Sequence, residues 1–189
     1  YVPIPASAPA QKDVDGNELY ADPNGPTCAS VFKTVSDQYG KYSFIKDMSG
    51  KITADMSLLI TRADSTDKLG RLYYMRGKKN EEIKEVSCGD IAAIGKMDYK
   101  TGDTICDPKK PVTIPPIAFP EPCYTMAISP KTKGQEDKIA TGLTRLNEED
   151  STFKFENNPE TKQMVISGAG DIQIDVLCSK LKNRFAVEV

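Results

Sequence analysis

Cys123-Tyr124-Thr125-Met126-Ala127-Ile128-Ser129 is the run on which the fold turns, because it reads as a strand and the period changes directly after it. From Gln135 to Asp150, Ile139, Leu143 and Leu146 fall at i, i+4 and i+7, which predicts a helix with one apolar face. Gly142 weakens that helix by about 1 kcal/mol relative to Ala, so tertiary packing has to support it. Phe153-Lys154-Phe155 and Met164-Val165-Ile166-Ser167 flank the turn-like Asn157-Asn158-Pro159-Glu160, and the spacing predicts a hairpin. Asp171 to Lys182 fits two periods: Ile172, Ile174 and Val176 alternate, while Ile172, Val176 and Leu177 also suit a helix. Following a hairpin, and with Leu181 extending the face, helix is expected. Phe185 to Val189 is expected as a last strand. The order βαββαβ predicts a ferredoxin-like α+β sandwich over 113–189.

Outward toward the N-terminus the pattern is all-β. Val31-Phe32-Lys33-Thr34-Val35, Tyr42 to Met48, Met56 to Thr61, Leu69 to Met75 and Ile91 to Gly95 are short apolar runs broken by turn residues. Short strands at this spacing, with no long helical stretch between them, predict a small β-barrel over 29–112, and closure removes exposed strand edges. Residues 1–28 are rich in Pro, Ala, Asp, Asn and Gly and read as a linker with no apolar periodicity to bury. Pro108, Pro111, Pro115 and Pro116 hold the chain extended, forming a punctuated hinge with a domain boundary near Val112.

The sign of the charge is close to balanced, with 25 basic and 27 acidic side chains. A nucleic-acid binder that relied on overall charge would be basic, so any RNA contact has to come from a local patch. No apolar run approaches the roughly 18 residues of a membrane span, and no membrane partner is expected. Tyr1 is not an initiator methionine and no basic-then-apolar leader follows it, so an excised piece of a cytoplasmic protein is expected. The five cysteines, Cys28, Cys88, Cys106, Cys123 and Cys178, have no CxxC spacing and no histidine beside them, which predicts free thiols and no zinc site.

The motifs of catalysis are missing. There is no GxxxxGK[ST] phosphate loop, no histidine to act as general base and no Gly-x-Ser-x-Gly elbow, so no catalytic, cofactor-binding or metal-ligating residue is assigned. Gly168-Ala169-Gly170 lacks the third glycine of a dinucleotide turn and reads as a tight strand-to-helix connection. Glu81-Glu82 and Glu148-Glu149-Asp150 read as solvated surface. One stretch is locally basic: Arg71, Arg76, Lys78, Lys79 and Lys84 surround Tyr73 and Tyr74 against Glu81 and Glu82 alone. Cations interleaved with aromatics can grip an RNA backbone and stack on bases, although a charged hairpin at a barrel rim has the same composition. Lys131 and Lys133, just ahead of the first helix of 113–189, are a second candidate for phosphate contact, and ordinary polarity at a helix start accounts for them equally well.

Several short motifs occur in an order that resembles the elongation factor G family of translational GTPases. Tyr1-Val2-Pro3-Ile4-Pro5 is similar to the segment leaving the GTPase domain, and Val31-Phe32-Lys33-Thr34 to the opening strand of the second domain. Ile83-Lys84-Glu85-Val86, Cys88-Gly89-Asp90-Ile91-Ala92-Ala93 and Thr101-Gly102-Asp103-Thr104-Ile105-Cys106-Asp107-Pro108 resemble that domain's most recognisable motifs. Phe119-Pro120-Glu121-Pro122, Ser129-Pro130-Lys131-Thr132-Lys133, Leu146 to Phe153 and Gly168 to Asp175 resemble the third domain. The resemblance implies a barrel that docks on small-subunit ribosomal RNA, followed by a domain that meets a small-subunit protein and the switch regions of its own GTPase domain. It implies that GTP and Mg2+ belong to a GTPase domain outside this chain, which itself serves coupling and ribosome contact. The family motif Gly-Met-Gly-Glu-Leu-His-Leu-Glu is altered at Ala169, Asp171, Ile172, Gln173, Ile174 and Asp175, and Gln173 removes a possible cation. Gly168, Gly170 and Gln173 are therefore the expected points of interdomain coupling. Tetracycline-resistance ribosomal protection proteins look similar at Gln173. A diverged paralogue, a protection or recycling factor, and a stand-alone RNA- or protein-binding module are the alternatives.

Overall fold

The computed structural model describes residues 2–37, 40–77 and 79–189. The chain divides into two units, Tyr1–Ile117 and Ala118–Val189. No helix is long and apolar enough to cross a membrane among the described residues.

The first unit is all-β apart from a single 3-10 turn at Pro5–Ser7. A small hairpin joins β1 (Gln11–Lys12) and β2 (Glu18–Leu19). The main strands are β3 (Cys28–Asp37), β4 (Gly40–Ser49), β6 (Ser57–Ile60), β7 (Ser65–Lys68), β8 (Leu72–Arg76), β9 (Lys79–Ile83), β11 (Ile91–Gly95) and β12 (Thr104–Cys106). They pair antiparallel as one eight-stranded sheet in the order β7-β6-β12-β3-β4-β11-β8-β9. β5 (Lys51–Thr53) and β10 (Glu85–Ser87) form a separate pair. All five expected strands are present, as β3, β4, β6, β8 and β11, while β5, β7, β9, β10 and β12 carry no apolar run that announces them.

The sheet curls because period-2 alternation puts its apolar residues on one side. Leu58 and Ile60 from β6, Leu72 from β8 and Ile94 from β11 all enter one buried cluster with Val31, Ile45 and Ile105, so strands from opposite ends of the ladder share a core. Leu69 N–H donates to the Met56 carbonyl at 2.7 Å, extending the β6–β7 hairpin, and Ala54 N–H to the Lys84 carbonyl at 2.9 Å, extending the β5–β10 pair. A second cluster on the outer face holds Leu19, Cys28, Cys106 and Ile114, with Val112 packed against it. The 1–28 segment thus buries Leu19, contrary to the expectation that it has nothing to bury, and the proline-rich stretch stays with the first unit through Ile114. Ile114 N–H donates to Thr104 Oγ1 at 3.0 Å.

Two buried acids behave oppositely. Asp103, 2% exposed, accepts from Arg62 Nε, from Arg62 Nη2 at 3.1 Å and from the Lys100 amide at 2.8 Å. Asp47 on β4 is fully buried, and neither carboxyl oxygen has a hydrogen-bond partner among the described residues. Burial pushes its pKa up to about 8; the Ser49 amide, near the carboxyl but outside hydrogen-bonding geometry, offsets only part of the shift, and the Asp90 carboxylate adds to it.

The second unit has a three-stranded antiparallel sheet in the order β13-β15-β14, with β13 (Tyr124–Ile128), β14 (Lys154–Asn157) and β15 (Met164–Gly168), and two helices, α1 (Glu136–Glu149) and α2 (Asp171–Phe185). Ile139, Leu143 and Leu146 are buried as their spacing predicts, and they meet Phe153, Ile166, Ile174, Leu177 and Leu181. Gly142 lets the helices close up, since a Cβ there would sit 2.7 Å from Leu181 Cδ2. The last strand expected over Phe185–Val189 is absent. Phe185 ends α2, Ala186 turns left-handed with φ 53°, and Val187 N–H returns to the Leu181 carbonyl at 3.3 Å, a Schellman-type stop. What remains of the tail meets the bend after β13, where Lys131 N–H donates to the Glu188 carbonyl at 2.9 Å.

Candidate nucleic-acid interface

The basic stretch is a hairpin of β8 and β9 in which Tyr73 faces Glu82, Tyr74 faces Glu81 and Arg76 faces Lys79. Strand alternation divides its side chains between two faces. Leu72 points into the core, so Tyr74 and Arg76 lie on that side beyond the core's edge, while Arg71 and Tyr73 lie on the outer side. Both arginines are held across the strands, Arg71 Nη1 to Glu82 Oε2 at 3.3 Å and Arg76 Nη2 to Glu81 Oε2 at 3.5 Å. The two glutamates thus offset the two arginines. Lys79 stands exposed with no ion-pair partner among the described residues, and Lys78 lies outside the described residues.

On the outer face Tyr73 meets Tyr42 edge-on, with ring centroids 6.0 Å apart, and Tyr42 Oη accepts from Asn80 Nδ2 at 3.3 Å. Gly70, Arg71, Tyr73, Gly95 and Lys96 line a cleft of about 270 Å3 beside this pair. Gly70 is required there by space, because a Cβ would stand 2.5 Å from the Gly95 carbonyl oxygen. Lys96 reaches the cleft from a left-handed backbone, φ 63°. Arg71 is therefore brought together with Lys96, Tyr73 and Tyr42, whereas Arg76 and Lys79 sit at the far end of the hairpin. Lys96 and Tyr42 escape a reading of the hairpin alone because they come from the end of β11 and from β4. The Tyr73 ring with Lys96, beside the Glu82-paired Arg71, suits a stacked base and its phosphate. Tyr74 is committed elsewhere, its hydroxyl donating to Asp90 Oδ2 at 3.1 Å.

In the second unit, Lys131 is paired with Glu188 at 3.3 Å, and Lys182 reaches the same carboxylate at 2.7 Å. Those two cations hold Glu188 below the usual carboxylate range. Lys133 is exposed without an ion pair among the described residues. Gln173 is built into the fold: its Oε1 accepts from the Ala169 amide at 2.7 Å and its Nε2 donates to Thr152 Oγ1 at 2.7 Å. Thr152 in turn is bonded to Asp150. Gly168 leaves room for this side chain, because a Cβ there would lie 2.7 Å from Gln173 Oε1; nothing lies within 4 Å of one at Gly170. Gln173→Ala removes both bonds and should lower the second unit's unfolding free energy by about 2 kcal/mol in a urea titration. An unchanged midpoint would show that water replaces the amide at no cost.

Among the described residues, no group of three or more acidic, thiol or imidazole side chains converges to hold a metal ion. With no phosphate loop in the sequence, the residues present do not fit GTP or Mg2+.

Residues 26–108 match the family Elongation factor G domain 2, and residues 119–189 match Elongation Factor G, domain III. Elongation factor G 1 of Synechocystis sp. is 36% identical over 196 residues, covering 100% of this chain and 28% of the relative. Elongation factor G of Ureaplasma parvum is 38% identical over 195 residues with the same coverage of both, so the chain spans little more than a quarter of these relatives' length. A crystal structure from Thermus thermophilus aligns with a TM-score of 0.77 at 26% identity, over 87% of this chain and 25% of that one. These matches favour elongation factor G over the protection-factor, recycling-factor and stand-alone readings. The chain belongs to the elongation factor G family, with its first unit matching domain 2 and its second matching domain III.

Proposed function

We propose that this chain supplies the ribosome-contacting and coupling parts of a cytoplasmic factor that drives translocation in protein synthesis with GTP. The observation that carries the reading is the pair of consecutive family matches, domain 2 then domain III, along one chain. On this reading the first unit is a translation-factor barrel. Its outer face at Arg71, Tyr73 and Lys96, together with Arg76 and Lys79 along the hairpin and with Lys78, meets small-subunit ribosomal RNA. The second unit is a ferredoxin-like sandwich, a reading supported by the strand order β13-β15-β14 and by the tail's contact from Glu188 to Lys131 just after β13. Lys131 and Lys133 face the small subunit. The turn at Gly168, Gly170 and Gln173 passes the nucleotide state from the GTPase domain, to which GTP and Mg2+ belong.

Co-sedimentation of the full-length gene product with ribosomes, in the presence of a GTP analogue, tests the reading; absence of co-sedimentation with folded protein would sink it. Reversing charge at Lys78 and Lys79 (Lys→Glu at both) should weaken binding and lower the slope of log K against log salt by about 1 for each phosphate no longer neutralised. An unchanged slope would return the hairpin to an ordinary solvated rim.

A further inference from the structure

We infer that Cys28 and Cys106 form an oxidisable dithiol, a modification site that closes into a cross-strand disulfide when the protein meets hydrogen peroxide. Cys28 begins β3, Cys106 ends β12, and the antiparallel register sets them directly opposite each other. The phase of that ladder is fixed by Val31 N–H donating to the Asp103 carbonyl at 2.8 Å and Asp107 N–H donating to the Thr27 carbonyl at 3.0 Å. Alternation between these two bonded positions makes Cys28–Cys106 a non-hydrogen-bonded pair, the kind whose facing Cα atoms approach to about 4.5 Å. A disulfide spans Cα separations of about 4.4–6.8 Å, so the bond can form without moving a strand. Opposed residues leave a sheet on the same face, and both thiols enter one apolar cluster under Leu19 and Ile114. Both are free thiols, and none of the other three cysteines lies within a strand.

The two sulfurs are unequal. Burial pushes the Cys28 thiol up to about 12, and the neighbouring Cys106 adds to that shift. Burial raises Cys106 too, but the Val112 amide lies against its sulfur and favours the thiolate. Both sulfurs are fully buried, so the reaction waits on opening of the Leu19 and Ile114 cover. Cys106 then attacks peroxide: an S–O bond forms, the O–O bond breaks and one water leaves. Cys28 then attacks the resulting sulfenic acid; the S–S bond forms, the S–O bond breaks, and a second water departs with the Cys28 proton. Two thiols and one peroxide yield one disulfide and two waters. The product ties β12, the last strand of the sheet, to β3, its first, and encloses nearly the whole sheet in one covalent loop.

The test is peroxide treatment of the unaltered chain, then alkylation, digestion and peptide mapping. The expected result is a linked peptide pair carrying Cys28 and Cys106, two hydrogens lighter than the separate peptides and released by dithiothreitol. In C88S/C123S/C178S, which keeps only this pair, oxidation should raise the thermal midpoint by about 10 °C, and reduction should return it. C106S should show neither the link nor the shift. Alkylatable thiols at both positions after the exposed Cys123 is fully oxidised, or separate sulfinic acids at Cys28 and Cys106, would overturn the inference.

Discussion

Asp47→Asn should leave stability almost unchanged at pH 4 and raise it by up to about 5 kcal/mol above pH 8. The carboxyl is fully buried and its oxygens have no hydrogen-bond partner among the described residues, so the folded state favours the neutral acid, with a pKa of about 8. In the unfolded chain the same group titrates near about 3.9. Below that value both states hold the proton and it contributes no pH dependence. Between about 4 and about 8 the folded state keeps a proton that the unfolded state has released, so stability falls by about 1.4 kcal/mol per pH unit. Above that window both states are ionised and the slope vanishes. Asn has the shape of the neutral acid and does not ionise, so it removes the decline. The groups facing Asp47 are the Asp90 carboxylate and the Cys28 and Cys88 thiols, and no cation is among them to rescue the anion. Urea midpoints of both proteins from pH 4 to 9 should diverge across the window and run parallel beyond it. Parallel lines throughout would mean that Asp47 is solvated as an anion.

Phe153→Ala should cost the second unit about 3–5 kcal/mol. Phe153 is fully buried among Ile139, Leu143, Leu146 and Ile166, and its ring lies 6.4 Å from that of Phe155. Removing it leaves a cavity on which both helices border, in a unit whose core is small. Among the described residues α1 and α2 are the only α-helices, so far-UV circular dichroism reports this unit directly. The thermal midpoint of the helical signal should fall by more than about 10 °C. A drop of only a few degrees would mean that the neighbours collapse into the space.

Strong periodicity made the second unit legible. Ile139, Leu143 and Leu146 needed only their spacing, and the Phe153–Ser167 hairpin only its turn. Phe185–Val189 misled because β-prone residues followed a helix whose face had not finished: Phe185 still packs with the α2 core, and the left-handed Ala186 uses up the next residue. In the first unit the strands with apolar runs were readable. The short polar ones exist only because their neighbours supply hydrogen-bond partners, and that information is non-local. The candidate interface was visible as composition but not as geometry. Alternation alone puts Tyr73 and Tyr74 on opposite faces once the strand is known, but no local pattern reveals that Glu82 and Glu81 hold the arginines or that Lys96 comes in from the end of β11. Gln173 read as a lost cation; the structure shows an amide that needs both its donor and its acceptor.

Arg62 and Asp103 are unequal partners, and that inequality constrains how the site can change. Asp103 is sealed inside while its partner is half in water, so losing Arg62 alone leaves a buried carboxylate with the Lys100 amide as its remaining donor, at a cost of about 1–3 kcal/mol. Losing both to side chains of similar volume is close to neutral. The order of loss therefore matters: losing Asp103 first leaves an arginine that is half in water, and that route to the second state avoids the buried unpaired carboxylate.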